Sequence, residues 1–307
     1  MLCPICQSKN ISFFAYKNEY EFHRCKACKV IFLHKLPPSK KLNEYYAKHF
    51  SYRDGLANEK IIRKRGTIIL HKIKKIVPTA TTICDVGSGH GFFLDEAKKK
   101  KYDTIGIEPS VLLAKITGKK YRVLVCAMDL QDYTKTNPGQ FDVVTCIHVI
   151  EHVKKPKKFI SDLLTLVKPG GILYIETPNS DSHLLYAERE HYTFLIPPEH
   201  LWIFSWKSIK TMLPHNVHIK CIQTYSYSEH FMGILKRIIK KKNDIINPTG
   251  INVKQITESR PSTFKKQISY FFFDRLIAPF LTGVLNLYHK GSVLELYVEK
   301  ISNKSGL

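Results

Sequence analysis

Four cysteines near the amino terminus have the types and spacing of a metal site. They form two pairs, Cys3 with Cys6 and Cys25 with Cys28, and eighteen residues separate the pairs. Each Cys-x-x-Cys pair can direct two thiolates at one ion, and two such pairs complete a closed tetrahedral zinc site. Segment 11–23 alternates and is aromatic-rich, which predicts a short hairpin. Because four thiolates leave no open position, we expect structural Zn²⁺.

Two disulfides or two redox pairs are the alternatives to zinc. The first residues contain neither a basic n-region nor an apolar h-region, so the expected compartment is the cytoplasm, where thiols stay reduced. Nothing thioredoxin-like surrounds either pair. The remaining cysteines lie singly in apolar runs and are interpreted as buried small hydrophobes. They are Cys84, Cys126, Cys146 and Cys221.

A second group combines acids with glycines. Asp85 ends an apolar run and opens the sequence Asp-Val-Gly-Ser-Gly-His-Gly (85–91). Glycines let the backbone turn sharply and approach a ligand closely, and a predicted helix follows. Glu108 closes the next apolar run, about twenty residues on, where a carboxylate can hold both hydroxyls of a ribose. Asp129 follows the third run, where an acid can lie near an adenine amino group.

A parallel sheet is needed to position these residues. From Thr81 onward, short apolar runs alternate with amphipathic stretches, which is typical of a parallel sheet covered by helices. The predicted strands are 82–86, 104–108, 123–127, 141–147, 172–176, 218–224 and 293–300, and the predicted helices are 92–101, 111–117, 156–167 and 206–213. The expected fold class is therefore α/β.

In this order, the motifs resemble those of class I S-adenosylmethionine-dependent methyltransferases. The similar group is methyltransferase domain 23, which includes ubiquinone-biosynthesis and polysaccharide methyltransferases. The motifs are 85–91, 106–110, 141–144 leading into 149–153, Lys-Pro-Gly-Gly at 168–171 and Glu-Thr-Pro-Asn at 176–179. The four-cysteine module, with segments 30–32, 37–38 and 45–46, is similar to a subgroup associated with modification of sugars or surface polysaccharides.

The resemblance implies a Rossmann-like seven-stranded methyltransferase sheet, an N-terminal zinc-ribbon module and a helical insertion before the last strand. The implied domains are a zinc module at 1–36, a helical linker at 37–80, a core at 81–227 and 291–303, and an amphipathic insertion at 228–290.

The resemblance also implies a binding site for S-adenosylmethionine. Glu108 would bind the ribose, Asp129 and Leu130 the adenine end, and His148 would lie by the methionine portion. Ser88 stands where the family often has Cys. The complete set of cofactor-binding candidates is Asp85, Gly87, Gly89, Gly91, Glu108, Asp129, Leu130 and His148.

Methyl transfer to an oxygen or carbon acceptor requires in-line placement and the loss of a proton. Histidines near the carboxyl ends of the strands are the candidate bases, because ligands bind there in such folds. His200 is the first choice, followed by His152 and His191. His200 has a structural alternative, which is to support the helix that begins near Ser205. Proximity and orientation alone can carry most of the catalysis.

Residues 148–152 also spell His-x-x-Glu-His, the pattern of inverted zinc peptidases. That site needs its residues on one helix and a third ligand downstream, whereas this pattern begins at the end of a predicted strand. We therefore interpret it as orienting the loop after the strand and lining the substrate mouth.

The net charge of +22 is compatible with several partners. Nucleic acid, an anionic membrane surface or a phosphorylated substrate would each account for it. No apolar run reaches the ~20 residues of a membrane-spanning helix. Segments 231–242 and 264–290 combine apolar and basic residues. They predict either a helical cap on the core or a peripheral contact with the inner face of an anionic membrane.

The function that the sequence predicts is O-methylation of a small-molecule or glycan acceptor. The expected acceptor is a sugar or lipid-linked intermediate of surface polysaccharide biosynthesis. An RNA methyltransferase is the alternative, because four-cysteine modules also precede ribosomal RNA enzymes. The chain, however, carries no Asn-Pro-Pro-Tyr-type tetrapeptide at its fourth strand, of the kind used on flipped bases. A zinc-containing binding protein without catalysis is a second alternative, which the intact Asp85 and Glu108 disfavour.

Overall fold

The computed structural model describes residues 1–49, 59–227 and 278–302. The strands in these ranges are β1 Ile11–Lys17, β2 Tyr20–Cys25, β3 Ile31–Leu33, β4 Thr82–Val86, β5 Asp103–Ile107, β6 Leu124–Cys126, β7 Phe141–Ile147, β8 Val167–Pro178, β9 Trp202–Ile203, β10 Val217–Tyr225 and β11 Val293–Lys300. The helices are α1 Ser39–His49, α2 Glu59–Ile76, α3 Phe92–Lys99, α4 Val111–Tyr121, α5 Leu130–Thr134, α6 Pro156–Leu166, α7 His183–Glu188, α8 Trp206–Met212 and α9 Ala278–Leu287. Residues Ile150–His152 and Arg189–His191 form 3₁₀ turns.

The chain forms two compact units, and each is discontinuous in sequence. The first unit comprises Met1–Leu36, Thr177–Thr211 and Ile222–Glu295, and the second comprises Pro37–Glu176, Met212–Cys221 and Leu296–Leu307. The predicted domain boundaries stay a prediction. The predicted amphipathic segments 231–242 and 264–277 lie outside the described residues. None of the helices in the described ranges is long and apolar enough to cross a membrane.

A seven-stranded sheet with the order β10-β11-β8-β7-β4-β5-β6 organises the second unit. The pairs β4 with β5, β4 with β7, β5 with β6 and β7 with β8 are parallel. β4 and β7 are continuous buried runs, as expected for strands covered on both faces. The order reverses at β4, which has β5 on one side and β7 on the other. The carboxyl end of β4 is therefore the switch point where such sheets bind ligands.

Helix α2 packs its apolar face against this sheet. Its buried residues Ile69, Leu70 and Ile73 recur at the spacing of one helical face and join the core that contains Ile83 and Tyr174. Each fully buried aliphatic side chain contributes about 1.5–3 kcal/mol relative to exposure. This burial explains why a helix with many lysines and arginines on its other face remains attached to the unit.

An antiparallel sheet with the order β1-β2-β3-β9 organises the first unit. The hairpin of β1 and β2 closes through Asn18 and Glu19, whose φ angles of 49° and 66° are those of a type I′ turn. The hairpin predicted within 11–23 is therefore confirmed. β9 joins the sheet by pairing Trp202 with Phe32 and Ile203 with Ile31.

Candidate active site

The glycine loop follows β4 at the switch point, and its three glycines have different surroundings. Gly87, Gly89 and Gly91 have φ angles of 73°, 49° and 70°, where a side chain is strained. A Cβ at Gly87 would collide with the side chain of Val149, and one at Gly91 with that of Thr117. A Cβ at Gly89 would meet only the Gly87 carbonyl oxygen, at 4.0 Å. Packing thus requires two of the glycines, whereas Gly89 leaves the loop surface open to a ligand.

Glu108 follows β5 and lies beside this loop. Its Oε2 accepts a hydrogen bond from the Gly89 N–H at 2.9 Å, and its Oε1 accepts one from the Ser110 N–H at 2.9 Å. The side chain is buried. Each carboxylate oxygen has a second lone pair, so the group can still accept hydrogen bonds from two neighbouring hydroxyls. This arrangement fits the 2′,3′-diol of a ribose.

Asp85, at the end of β4, is a buried carboxyl group with little compensation for its charge. Thr145 Oγ1 donates a hydrogen bond to Asp85 Oδ1 at 2.6 Å. Burial, aided by the charge of Glu108 and opposed by the Thr145 bond, raises the pKa of Asp85 to about 7. A cationic ligand near this carboxyl group would favour its ionised form. The position therefore fits the positively charged part of S-adenosylmethionine.

Asp129 and Leu130 begin α5 beyond β6. Asp129 is the N-cap residue but makes no side-chain cap hydrogen bond, and it is exposed, whereas Leu130 is buried. An exposed carboxylate beside an apolar side chain suits the amino edge and the ring of an adenine. The predicted roles of both residues stay predictions.

His148 lies at the end of β7 with a φ of 54°, between two buried glutamates. Its Nδ1 is 3.2 Å from Glu151 Oε1, and its Nε2 is 3.4 Å from Glu176 Oε1. Burial opposes a charge on the ring, but hydrogen bonds to both glutamates outweigh it and raise the pKa of His148 to about 10. The contacts with Glu151 and Glu176 therefore favour the imidazolium form of His148, which is unsuited to accept a proton.

Arg65 of α2 completes this buried charge network. Its Nη2 and Nε donate to Glu176 Oε2 at 2.9 and 3.0 Å, and Tyr174 Oη donates to the same oxygen at 2.5 Å. Burial is outweighed by the charge of Arg65 and the contact with His148, which hold the pKa of Glu176 well below its usual range. Neither Arg65 nor Tyr174 belongs to a motif, so the sequence did not reveal them as parts of the site.

The His-x-x-Glu-His pattern has no peptidase geometry. His148 has a left-handed backbone conformation, and Ile150–His152 form a 3₁₀ turn rather than part of a longer helix. Glu151 is a partner of His148. These contacts agree with the interpretation that the pattern orients the loop after β7.

The three candidate bases differ in their surroundings. His200, in the first unit, is buried, and its Nδ1 is 2.8 Å from the Phe194 carbonyl oxygen. A carbonyl only accepts, so Nδ1 carries a proton, and Nε2 lies 4.0 Å from Glu199 Oε1. His191 is exposed, 3.6 Å from Glu190. His152 lies in the second unit, where its backbone N–H donates to Val149 O. Their catalytic roles stay predictions.

The four cysteines of the first unit converge. Cys3 Sγ is 3.7 Å from Cys28 Sγ, Cys6 Sγ is 3.6 Å from Cys25 Sγ, and all four sulfur atoms lie within 4.8 Å of one another. None of them is in a disulfide. Thiolates at ~2.3 Å from a tetrahedral zinc ion are separated by about 3.8 Å. The cluster therefore has the dimensions of a zinc site.

The strand order and the switch-point glycine loop with Glu108 define a Rossmann-like, class I methyltransferase fold, as predicted. The family model for the methyltransferase domain matches residues 52–217, more than half of the chain. The chain therefore belongs to the methyltransferase domain family.

Curated relatives match the chain over part of their length. The ubiquinone biosynthesis O-methyltransferase of Colwellia psychrerythraea is 36% identical over 110 residues, which are 34% of this chain and 45% of that protein. The protein of the same name from Thiobacillus denitrificans is 32% identical over 126 residues, 38% of this chain and 53% of that protein. The chain thus spans about half the length of these relatives.

A solved structure shows the same fold. The SAM-dependent methyltransferase from Archaeoglobus fulgidus superposes with a TM-score of 0.52 and 18% sequence identity, over 81% of this chain and 100% of that chain. The likeness covers the α/β fold and agrees with the fold class predicted from the sequence.

Proposed function

We propose that the protein transfers a methyl group from S-adenosylmethionine to a hydroxyl oxygen of a small-molecule acceptor. The main observation in support is the position of the Glu108 carboxylate. It accepts hydrogen bonds from the N–H groups of Gly89 and Ser110 at 2.9 Å each, and a Cβ at Gly89 would meet no side chain. The similar ubiquinone biosynthesis O-methyltransferases support oxygen as the acceptor atom.

S-adenosylmethionine supplies an electrophilic methyl carbon when bound. Its sulfur would be the leaving group and would take the electron pair of the broken carbon–sulfur bond. Glu108 would hold the ribose, and Asp85 would face the positively charged portion. The buried network of His148, Glu176 and Arg65 keeps the end of β7 in place beside the glycine loop. Positioning by these residues contributes most of the rate enhancement.

The acceptor hydroxyl must also lose a proton. We propose His200 as the base, because the hydrogen bond from Nδ1 to Phe194 O fixes the orientation of this buried ring, whose Nε2 faces the Glu199 carboxylate at 4.0 Å. His152 and His191 are the remaining candidates. His148 is unsuited to this role, since its contacts with Glu151 and Glu176 favour the protonated ring.

We propose a sugar or a lipid-linked intermediate as the acceptor, in line with the subgroup that the cysteine module resembles. The net charge of +22 would favour an acceptor that carries phosphate groups, and it would support peripheral contact with an anionic membrane. RNA also carries phosphate groups and is therefore the competing acceptor. A comparison of acceptor classes in one assay separates RNA from the proposed acceptor.

We also propose that Cys3, Cys6, Cys25 and Cys28 hold one structural Zn²⁺. The sulfur separations of 3.6 and 3.7 Å support it, as do the tight turns after Cys3 and Cys25. In each turn, an N–H donates back to the first cysteine, from Gln7 to Cys3 O and from Lys29 to Cys25 O, both at 2.9 Å. The ion would stabilise the antiparallel sheet and take no part in methyl transfer.

The test measures release of S-adenosylhomocysteine with four acceptor classes, namely phenolic diols, nucleotide sugars, lipid-linked glycans and RNA. We expect turnover with a hydroxylated small molecule or glycan, and a fall in kcat of at least roughly 100-fold in His200→Gln, within the usual range for loss of a general base. His215→Gln, which changes an exposed histidine, serves as the control. Turnover with RNA alone would contradict the proposed acceptor, and unchanged kcat in His200→Gln would contradict the proposed base.

A further inference from the structure

We infer a second metal-ion site in the first unit, formed by Glu21, His23 and His34. One ligand atom from each residue lies within 4.8 Å of the others. Two imidazoles and one carboxylate are the donor set that suits divalent zinc, copper and nickel. The group shares no residue with the four-cysteine cluster and offers nitrogen and oxygen in place of sulfur. It therefore defines a separate site for a divalent transition-metal ion.

Strand pairing places these three side chains on one face of the antiparallel sheet. Glu21 and His23 are two residues apart on β2, so they project to the same side. β2 pairs with β3 through Phe22 with Leu33 and His23 with Phe32, and the next position in this register sets His34 opposite Glu21. The His34 N–H donates to the Glu21 carbonyl oxygen at 2.8 Å, which continues the ladder. Backbone hydrogen bonds, and not a flexible loop, thus fix the relative positions of the ligands.

The side chains are already close to a liganding arrangement. His23 Nε2 is 2.5 Å from Glu21 Oε1, and the rings of His23 and His34 stack with their centroids 4.8 Å apart. The rings of Phe13 and Phe32 flank His23 at centroid distances of 6.4 and 6.2 Å. His23 is therefore held in place on both sides, and an ion would replace its short contact with Glu21 by two metal bonds.

One polar atom of the cluster lacks a hydrogen bond. His23 Nδ1 is buried and has no hydrogen-bond partner within the described residues. An unsatisfied buried nitrogen is unfavourable. The hydrogen bonds of the described residues therefore do not account for every polar atom of this cluster.

Three protein ligands leave one position of a tetrahedral ion open. The site differs in this respect from the four-cysteine cluster, whose four ligands would close the coordination sphere. His34 is exposed, so water or a donor atom of a small ligand can occupy the fourth position. The ion would tie the residue after β3 to β2 and would exchange more readily than one held by four thiolates.

The experiment titrates Zn²⁺ into the full-length, zinc-loaded protein by calorimetry after dialysis against a weak chelator. We expect one retained equivalent at the cysteines and a second equivalent that binds on titration. His34→Ala and His23→Gln are expected to weaken the second equivalent at least tenfold and to leave the retained equivalent unchanged. His215→Ala, at an exposed histidine outside the cluster, is expected to change neither.

Cobalt supplies a second readout. Co²⁺ in the second site is expected to give weak d–d absorption without the thiolate charge-transfer band that the cysteine site would give. The inference is overturned if no second equivalent binds, if both histidine variants bind it with unchanged affinity, or if the second Co²⁺ shows a thiolate band.

Discussion

Glu108 accepts a hydrogen bond from the N–H of Gly89 in the glycine loop, and the affinity for the proposed cofactor should depend on it. Glu108→Gln keeps the size of the side chain but replaces one acceptor oxygen with an NH₂ group, which cannot accept a hydrogen bond from an N–H. Hydrogen bonds to a charged group contribute about 1.5–3 kcal/mol, so we expect the Kd for S-adenosylmethionine to rise roughly tenfold to hundredfold. Calorimetry measures the change. Glu299→Gln, at the partly exposed partner of Lys220, is the matched control, and equal affinities for the two variants would contradict the assignment.

His148 gives the stability of the second unit a defined pH dependence. Its folded pKa of about 10 lies above the ordinary value of about 6.5, because Glu151 and Glu176 favour the imidazolium. The stabilisation is fully present below pH ~6.5 and is lost as the pH rises towards the folded pKa. The side chain is 35% exposed, so solvent screens part of the effect.

Denaturant midpoints at several pH values between 6 and 10 check this expectation. The difference between wild type and His148→Gln should be largest near pH 6 and should shrink as the pH rises. Arg65 and Tyr174 also face Glu176, and Arg65 keeps its charge throughout the window. A difference that is constant over the window would contradict the protonated His148.

At the residue scale, the sequence motifs predict where a side chain lies better than they predict which groups it contacts. The positions of Asp85, Glu108 and the glycines at the ends of their strands can be predicted from the sequence, because loop conformation and spacing after a strand restrict the residue types. Their roles in cofactor binding stay predictions. Arg65 could not be assigned, since its contact with Glu176 exists only once α2 packs beside β8. His200 can be named as a candidate, but the tautomer set by Phe194 O depends on the folded backbone.

At the scale of elements, two glycines of the loop after β4 serve different purposes. Packing requires Gly87, whereas Gly89 leaves space for a ligand. Gly87→Ala introduces strain at φ 73° and a collision with Val149, and we expect overpacking to cost about 1–3 kcal/mol and lower the Tm. Gly89→Ala has no comparable collision, so its Tm should fall less. Its methyl group occupies the open side of the loop, and binding of S-adenosylmethionine should weaken more than tenfold. Thermal unfolding and calorimetry on both variants check the contrast, and an equal loss of Tm in the two would contradict it.

Apolar runs predict β4, β7 and β11 with the bounds that the structure has. For β4 and β7 the reason is that buried parallel strands are continuous hydrophobic segments. β8 begins at Val167, before its apolar run starts. Val167 pairs with Phe141 even though the non-apolar segment Lys-Pro-Gly-Gly comes directly after Val167. β9 has two residues and no periodicity of its own. It forms only because β3, far away in the sequence, pairs with it.

At the scale of the molecule, each compact unit combines segments that are far apart in the sequence. Segment 177–211 belongs to the same unit as the cysteine module. Ser180 Oγ donates to Lys29 O and Ser205 Oγ donates to Cys28 O, both at 2.6 Å. Neither serine belongs to a periodic pattern that would reveal these contacts, whereas the order of the α/β elements is visible because each has its own hydrophobic period.

These two serine contacts connect the proposed zinc ion to the stability of the whole first unit. Removal of the ion by a strong chelator would leave four thiols without the bonds that hold them together. The turns that present Cys28 O and Lys29 O should then loosen, and segment 177–211 should lose part of its anchoring. We expect amide hydrogen exchange to accelerate in residues 1–36 and 177–211. Exchange in 82–107, which lies in the second unit, should change much less.

Cys28→Ser should reproduce the effect without chelator, and Cys221→Ser, at a cysteine outside the cluster, is the control. Unchanged exchange in 1–36 after the zinc content has fallen to zero would show that the antiparallel sheet holds its shape without the ion.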